Sequence, residues 1–267
     1  DEPLKGQCMQ YILRGMSDGG YWCEAADLIK KYGVVPKQVQ PETYQSEHTD
    51  HFVATLNKLL RKDAMELREL VLAGKGPRKE ALLRLAEKEH LANPCIAFGQ
   101  PVEIFDFAYR DADGTYHEDR NLTPQSFYEK YVGLDMDQYV PVINEPTSDK
   151  PMNGLIRFHG TENMADRDMT ALNIPQEELE DLCIKQLKAG QAVWFACDAG
   201  ASGARKEGVW DPDSVRYEAL LGGFSTDMPK GKRLEYKSSS ATHAMILTGV
   251  HFDESGYPDR WKIENSW

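Results

Sequence analysis

Residues 238–267 read Ser-Ser-Ser-Ala-Thr-His-Ala-Met-Ile-Leu-Thr-Gly-Val-His-Phe, then Asp-Glu-Ser-Gly-Tyr-Pro-Asp, then Arg-Trp-Lys-Ile-Glu-Asn-Ser-Trp. From Ala244 to Val250 the side chains are small, β-branched or aliphatic, the composition of a short, largely buried strand. His243 stands at its entrance. A second apolar run, Trp261 to Ile263, leads into Glu264, Asn265, Ser266 and Trp267, and the stretch between the runs is rich in turn formers. The pattern predicts an antiparallel hairpin that brings Asn265 beside His243. An imidazole held at one ring nitrogen by an amide oxygen is fixed in tautomer and orientation, as a general base must be.

Upstream of the hairpin, Lys230–Tyr236 leads into it. Asp211–Leu221 is expected to be a helix with Asp211 as N-cap and Pro212 at its first position. Ala192–Cys197 is a near-continuous apolar run, a buried strand closed by Asp198-Ala199-Gly200. Pro175–Ala189, ended by Gly190, has an amphipathic helical pattern through Leu179, Leu182, Ile184 and Leu187. Tyr139–Ile143 and Leu155–Phe158 read as strands, whereas the Met- and Asp-rich Thr161–Ala171 has no legible pattern.

In the first half, Thr49–Ala73 and Pro77–Ala92 are helical, with apolar stripes through Phe52, Leu56, Leu59, Leu60, Met65, Leu67, Leu70 and Val71, and through Leu82, Leu83, Leu85 and Leu91. The Gly74-Lys75-Gly76-Pro77 break makes them a helical hairpin. Val102–Tyr109 reads as a strand turned at Asp111-Ala112-Asp113-Gly114, and Thr123-Pro124-Gln125-Ser126 as a capped helix start. The Asp-x-Asp-Gly turn lacks the other positions of a calcium loop. Cys23–Tyr32 is a helix with Gly33 as its stop. It follows Ser17-Asp18-Gly19-Gly20, where two glycines let another backbone approach.

The 267 residues suffice for one large domain or two modest ones. Forty-three acidic against 31 basic residues, a net charge of −12, disfavour a nucleic-acid partner. The basic residues from Lys58 to Arg84 read as a solvated helical face. No apolar run is long enough for a membrane helix. Five cysteines without paired spacing, Cys8, Cys23, Cys95, Cys183 and Cys197, fit free thiols in a reducing cytoplasm. Neither Cys-x-x-Cys nor His-x-x-x-His occurs, so no metal site is expected. His251 and the remaining histidines lack motif company and read as structural or surface residues.

Five ordered segments, Ser17-Asp18-Gly19-Gly20-Tyr21-Trp22, Lys30–Lys37, Ala192–Asp198, Thr242-His243-Ala244-Met245 and Glu264-Asn265-Ser266-Trp267, span nearly the whole chain. Together they resemble the papain-like cysteine peptidases, and within them the bleomycin hydrolase and aminopeptidase C family. The resemblance implies an α+β papain-like fold, a helical subdomain plus an antiparallel β subdomain, with a long helical insertion. The corresponding division is 1–48 with the Gly-Gly substrate loop, 49–173 as the insertion and 174–267 as the β subdomain. It also implies a Cys-His-Asn peptidase releasing N-terminal residues from peptides. In it His243 is the base, Asn265 orients it, Gly19, Gly20 and Thr242 bind substrate, and Trp267 shields the His–Asn contact. No cofactor is implied; a cytoplasmic homo-oligomer, a hexameric ring, is.

The family's nucleophilic cysteine opens a helix beside an oxyanion-hole glutamine, in a segment that precedes anything like Ser17–Lys37. It also continues past Asn-Ser-Trp into a C-terminal arm. The chain is therefore expected to be an internal piece of a longer protein, without its nucleophile and inactive alone. Two other readings are open: a catalytically inactive assembly or binding module that keeps the ring-forming insertion, and a self-contained hydrolase using Cys23, a thiol in the first turn of a helix.

Overall fold

A computed structural model of the chain describes residues 4–159, 168–201, 203–204, 206–214 and 217–265. They divide into two compact units. The first holds the described residues up to Gly20 together with Ala25–Asp135; the second holds Tyr21–Glu24 and the described residues from Met136 onward.

The first unit opens with α1 (Gln7–Arg14), and α2 (Trp22–Tyr32) continues into it from the second unit. A capping box at Thr43 starts the single turn α3 (Tyr44–Glu47): the Thr43 hydroxyl accepts from Ser46 N–H while the Ser46 hydroxyl accepts from Thr43 N–H. Two long helices follow, α4 (Thr49–Leu72) and α5 (Gly76–Phe98), packed on one another. Helix α5 runs six residues past the expected end at Ala92 and through Pro94, which costs it one backbone hydrogen bond without ending it. The apolar stripes are also narrower than the spacing suggested, since Met65, Val71, Leu83 and Leu85 are exposed.

Strands β1 (Phe105–Arg110) and β2 (Tyr116–Leu122) form an antiparallel hairpin. The Asp111 carboxylate accepts from Asp113 N–H and Thr115 N–H across its turn, and from the His117 ring. Thr123 then caps α6 (Pro124–Phe127) in a second capping box, and a π-helical turn, Tyr128–Val132, follows. Phe105, Leu122 and Phe127 form a buried cluster against Val34, Val35, Val39, Val102, Phe107 and Tyr131. Gly33 enters this core with φ of +74°, and a Cβ there would stand 2.3 Å from the Pro124 carbonyl carbon.

In the second unit, β3 (Val142–Ile143), β4 (Gly154–Phe158) and β5 (Met169–Asn173) form a sheet of order β3-β5-β4. Its central strand falls at the end of the stretch whose pattern was illegible. Asn173 is fully buried. Its carboxamide oxygen accepts from Glu145 N–H at 2.8 Å and its amide donates to the Glu145, Lys150 and Pro151 carbonyls, sewing the 145–151 loop to the sheet.

Helix α7 (Gln176–Lys188) and β6 (Val193–Cys197) come next, then the two-residue strands β7 (Gly203–Ala204) and β8 (Val209–Trp210), which pair. In α7 it is Cys183 that is buried, and Leu182 is exposed. The expected helix over 211–221 is represented by a 3-10 turn, Pro212–Ser214, and the short α8 (Tyr217–Leu220). After α9 (Lys230–Glu235) come β9 (His243–Phe252) and β10 (Pro258–Glu264), joined by the expected hairpin. The resulting sheet has the order β10-β9-β6, with α7 packed on β6 and β9.

Two irregularities set the β9–β10 register. Pro258 faces Phe252 but Arg260 faces His251, so Asp259 is an extra residue on β10. Lys262 then faces Gly249 while Ile263 faces Leu247, so Thr248 is an extra residue on β9. The two offsets are opposite in sense and cancel.

Candidate active site

Beyond the second bulge Ile263 faces Leu247 and Glu264 faces Ile246, so the next residue, Asn265, comes opposite Met245. Opposed residues share a face of the sheet, as do residues two apart along a strand. Asn265, Met245 and His243 therefore share one face, and His243 is the diagonal neighbour of Asn265. Without the Thr248 bulge Asn265 would oppose Ile246 and point the other way. The contact is made: His243 Nε2 lies 2.9 Å from Asn265 Oδ1, and Asn265 Nδ2 donates to Met245 Sδ at 3.6 Å. Because an amide oxygen only accepts, Nε2 carries the proton and the neutral ring's lone pair is on Nδ1. That is the geometry of an oriented general base.

Strand β6 supplies the other side of this face. Cys197 is opposite His243 in the β6–β9 pairing. Burial, and then the Asp198 carboxylate, push its thiol above the ordinary cysteine range, and burial does the same to Cys183. A nucleophile needs the opposite shift. Thr242 N–H donates to Cys197 O at 2.9 Å, and the Thr242 hydroxyl accepts from Ala199 N–H at 3.2 Å. Ser239 donates to Asp198 Oδ2 and the Trp210 indole to Ala199 O. The entrance of β9 is thus tied to the exit of β6 by both main chain and side chain.

Tyr21 and Trp22 fix the start of α2 in this unit: the Trp22 ring stands 5.9 Å from Trp194 and 5.5 Å from Tyr139, and Tyr21 lies beside Phe158. Cys23 follows in the first turn of α2, half-buried. In the first unit Gly19 and Gly20 are exposed. Gly19 does not use a left-handed φ, and the nearest atom to a Cβ there would be its own neighbour Ser17 Oγ at 3.8 Å, so its side is open. Trp267 lies outside the described residues. His251 binds the bulge residue Asp259, His117 binds Asp111, and His159 lies 3.2 Å from Asp168. Among the described residues no group of three or more His, Cys, Asp or Glu is placed to hold a metal ion, and no helix is long and apolar enough to cross a membrane.

The model of the Peptidase C1-like family matches residues 1–267. The chain belongs to that family. It is 38% identical over 273 residues to an Aminopeptidase C of Streptococcus thermophilus, covering all of this chain and 60% of that one. It is 39% identical over 251 residues to an Aminopeptidase C of Listeria monocytogenes, covering 94% of this chain and 56% of the relative. The crystal structure of PepW from Lactobacillus rhamnosis HN001 superposes with a TM-score of 0.92 at 42% identity, over the whole chain and 60% of PepW. The α+β papain-like fold and the kinship with the bleomycin hydrolase and aminopeptidase C branch follow from these similarities. The chain spans about 60% of the length of the curated Peptidase C1-like relatives it matches.

Sequence reasoning passed over two features of the site. The bulge residues Thr248 and Asp259 carry no motif, yet the first sets the face on which Asn265 lies. The polar residues on the buried side of α4, Asn57 and Asp63, interrupt an apolar stripe and signal a specific polar contact there.

Proposed function

We propose that this chain carries the base half of a cysteine-type aminopeptidase that removes N-terminal residues from peptides. A cysteine contributed by sequence outside these 267 residues supplies the nucleophile. The observation that carries the reading is the 2.9 Å contact between His243 Nε2 and Asn265 Oδ1 in a Peptidase C1-like chain whose relatives are named Aminopeptidase C. The His243 imidazolium pairs with the thiolate, which attacks the scissile carbonyl. His243 then gives its proton to the leaving amine and, in the second half-reaction, takes one from water. Asn265 orients His243 and stabilises its charged form.

Gly19 and Gly20 hold the substrate main chain, with the openness beside Gly19 as support. Thr242 borders the substrate, its hydroxyl tied to Ala199 N–H. The chemistry requires no cofactor or metal. The segment 49–173 is an insertion into a papain-like frame of 1–48 and 174–267, and the protein works as a cytoplasmic homo-oligomer, a hexameric ring. Leu72 and Leu85, exposed on α4 and α5, provide apolar surface for that association.

The test is hydrolysis of an aminoacyl-aminomethylcoumarin by the full-length protein, its His243→Ala variant and the 267-residue chain alone. The full-length protein is expected to turn over, and the other two are not. Unaltered turnover by folded His243→Ala would overturn the assignment.

A further inference from the structure

Helix α4 grips the chain just ahead of Gly19. Three of its side chains, Thr49, Asn57 and Arg61, stand on one helical face at intervals of eight and four residues. Asn57 is buried in mid-helix. Its Oδ1 accepts from Met16 N–H and its Nδ2 donates to Met16 C=O, both at 2.8 Å, so one carboxamide satisfies both backbone groups of one residue. Arg61 donates to the Leu13 and Arg14 carbonyls at the end of α1, where a cation is also favoured by the helix dipole. The Thr49 hydroxyl donates to the Asp18 carboxylate.

The backbone is shaped to receive this grip. Gly15 has φ of +83°, and a Cβ there would stand 2.5 Å from Asn57 Oδ1. A side chain at residue 15 would force the carboxamide out. Residues 13–18 are thus held at three points, and the next two are Gly19 and Gly20.

We infer that Asn57 is a positioning residue for the reaction. Through the Met16 backbone it fixes where the Gly19-Gly20 segment presents its main chain to the peptide. This rests on the proposed role of those glycines, and it ties the long helical pair to substrate binding. A segment held in its bound form adds less ordering cost when the peptide arrives, so loosening it raises KM and leaves the chemical step alone.

The experiment uses the full-length enzyme with Asn57→Ala, Gly15→Ala, Thr49→Val and Gly20→Ala. KM and kcat are measured on a tetrapeptide, and iodoacetamide inactivation reports the nucleophile. Asn57→Ala is expected to raise KM about tenfold, as loss of hydrogen bonding worth that factor would. Its kcat and inactivation rate stay within about twofold. Gly15→Ala should reproduce this by displacing the carboxamide rather than removing it, and Thr49→Val, at a half-buried position, should raise KM about threefold, a partial loss of the same kind. If the first two fail to fold, Thr49→Val decides. Unchanged KM in the folded variants overturns the inference, and so does a fall in kcat or in inactivation rate at constant KM, the mark of a general structural role. If Gly20→Ala raises KM while Asn57→Ala does not, only this inference fails. If Gly20→Ala also leaves KM unchanged, the role of the glycines fails with it.

Discussion

Cys197 on β6 stands directly across from His243 on β9, and its thiol is held above the ordinary cysteine range by burial and by Asp198. Proximity to an imidazole does not make this thiol a nucleophile. Iodoacetamide at neutral pH is expected to label Cys197 and Cys183 more slowly in the folded protein than after unfolding in urea, read by peptide mass spectrometry. Equal rates in the two states would refute the effect of burial.

On the proposed mechanism, removing the base and removing its orienting group should differ in scale. In the full-length enzyme His243→Ala is expected to lose about 10³-fold or more in kcat/KM, and Asn265→Ala about 10–10²-fold, since the imidazole keeps its proton chemistry. Steady-state kinetics on an aminoacyl-aminomethylcoumarin measure both. An Asn265→Ala loss as large as that of His243→Ala would give Asn265 a direct part in proton transfer.

Asn173→Ala should destabilise the second unit. The change strands the Glu145 N–H in a buried place and removes a donor from three carbonyls, at about 1–3 kcal/mol for each group left unpaired. Urea unfolding monitored by tryptophan fluorescence, which β6 reports through Trp194, gives the loss. An unshifted midpoint would mean that water replaces the carboxamide.

Gly33→Ala should be costly in the first unit. A left-handed φ of +74° and a Cβ 2.3 Å from the Pro124 carbonyl carbon leave no room for a methyl group without moving α6. The expected loss is about 2–4 kcal/mol. Calorimetry of Gly33→Ala beside Gly114→Ala checks it, because Gly114 shares the positive φ but has open space around it.

Acid stability should depend on α9. The Lys232 ammonium, ahead of Ser148 N–H, holds the Glu235 carboxyl down from 4.5 to about 2. A carboxyl lowered by folding adds stability that is complete above its unfolded value and disappears as pH falls through its folded value. Between pH 4.5 and about 2 the protein should therefore lose stability through this group. Glu235→Gln should flatten that part of the melting-temperature profile and leave its shape at neutral pH unchanged. An identical acid slope in the variant would exclude Glu235 as a contributor.

Much of the fold was legible because each long element repeats one period. Helix α4 begins at the expected Thr49 and ends one residue before the expected Ala73, and the β9–β10 hairpin is where the turn formers placed it. Legibility failed where burial comes from elsewhere in the chain. Strand β5 is covered by β3 and β4 on its two edges, and its central place depends on partners that local composition does not reveal. The leucines of α5 at 82, 83 and 85 point in different directions round the helix, so counting apolar residues overstated the buried face. At the candidate site the motif gave residue types and order, whereas the side-by-side placement of His243 and Asn265 depends on bulges formed by an ordinary threonine and an ordinary aspartate.

Those bulges act as a pair of compensating frameshifts written in hydrogen bonds rather than codons. Drawing Thr248 alone, or Asp259 alone, into the ladder would slip the strands beyond it by one residue and turn Asn265 to the opposite side of the sheet from His243. Drawing in both restores the phase. The hairpin therefore needs both bulges or neither, a rule for transplanting this His–Asn pair into another antiparallel sheet.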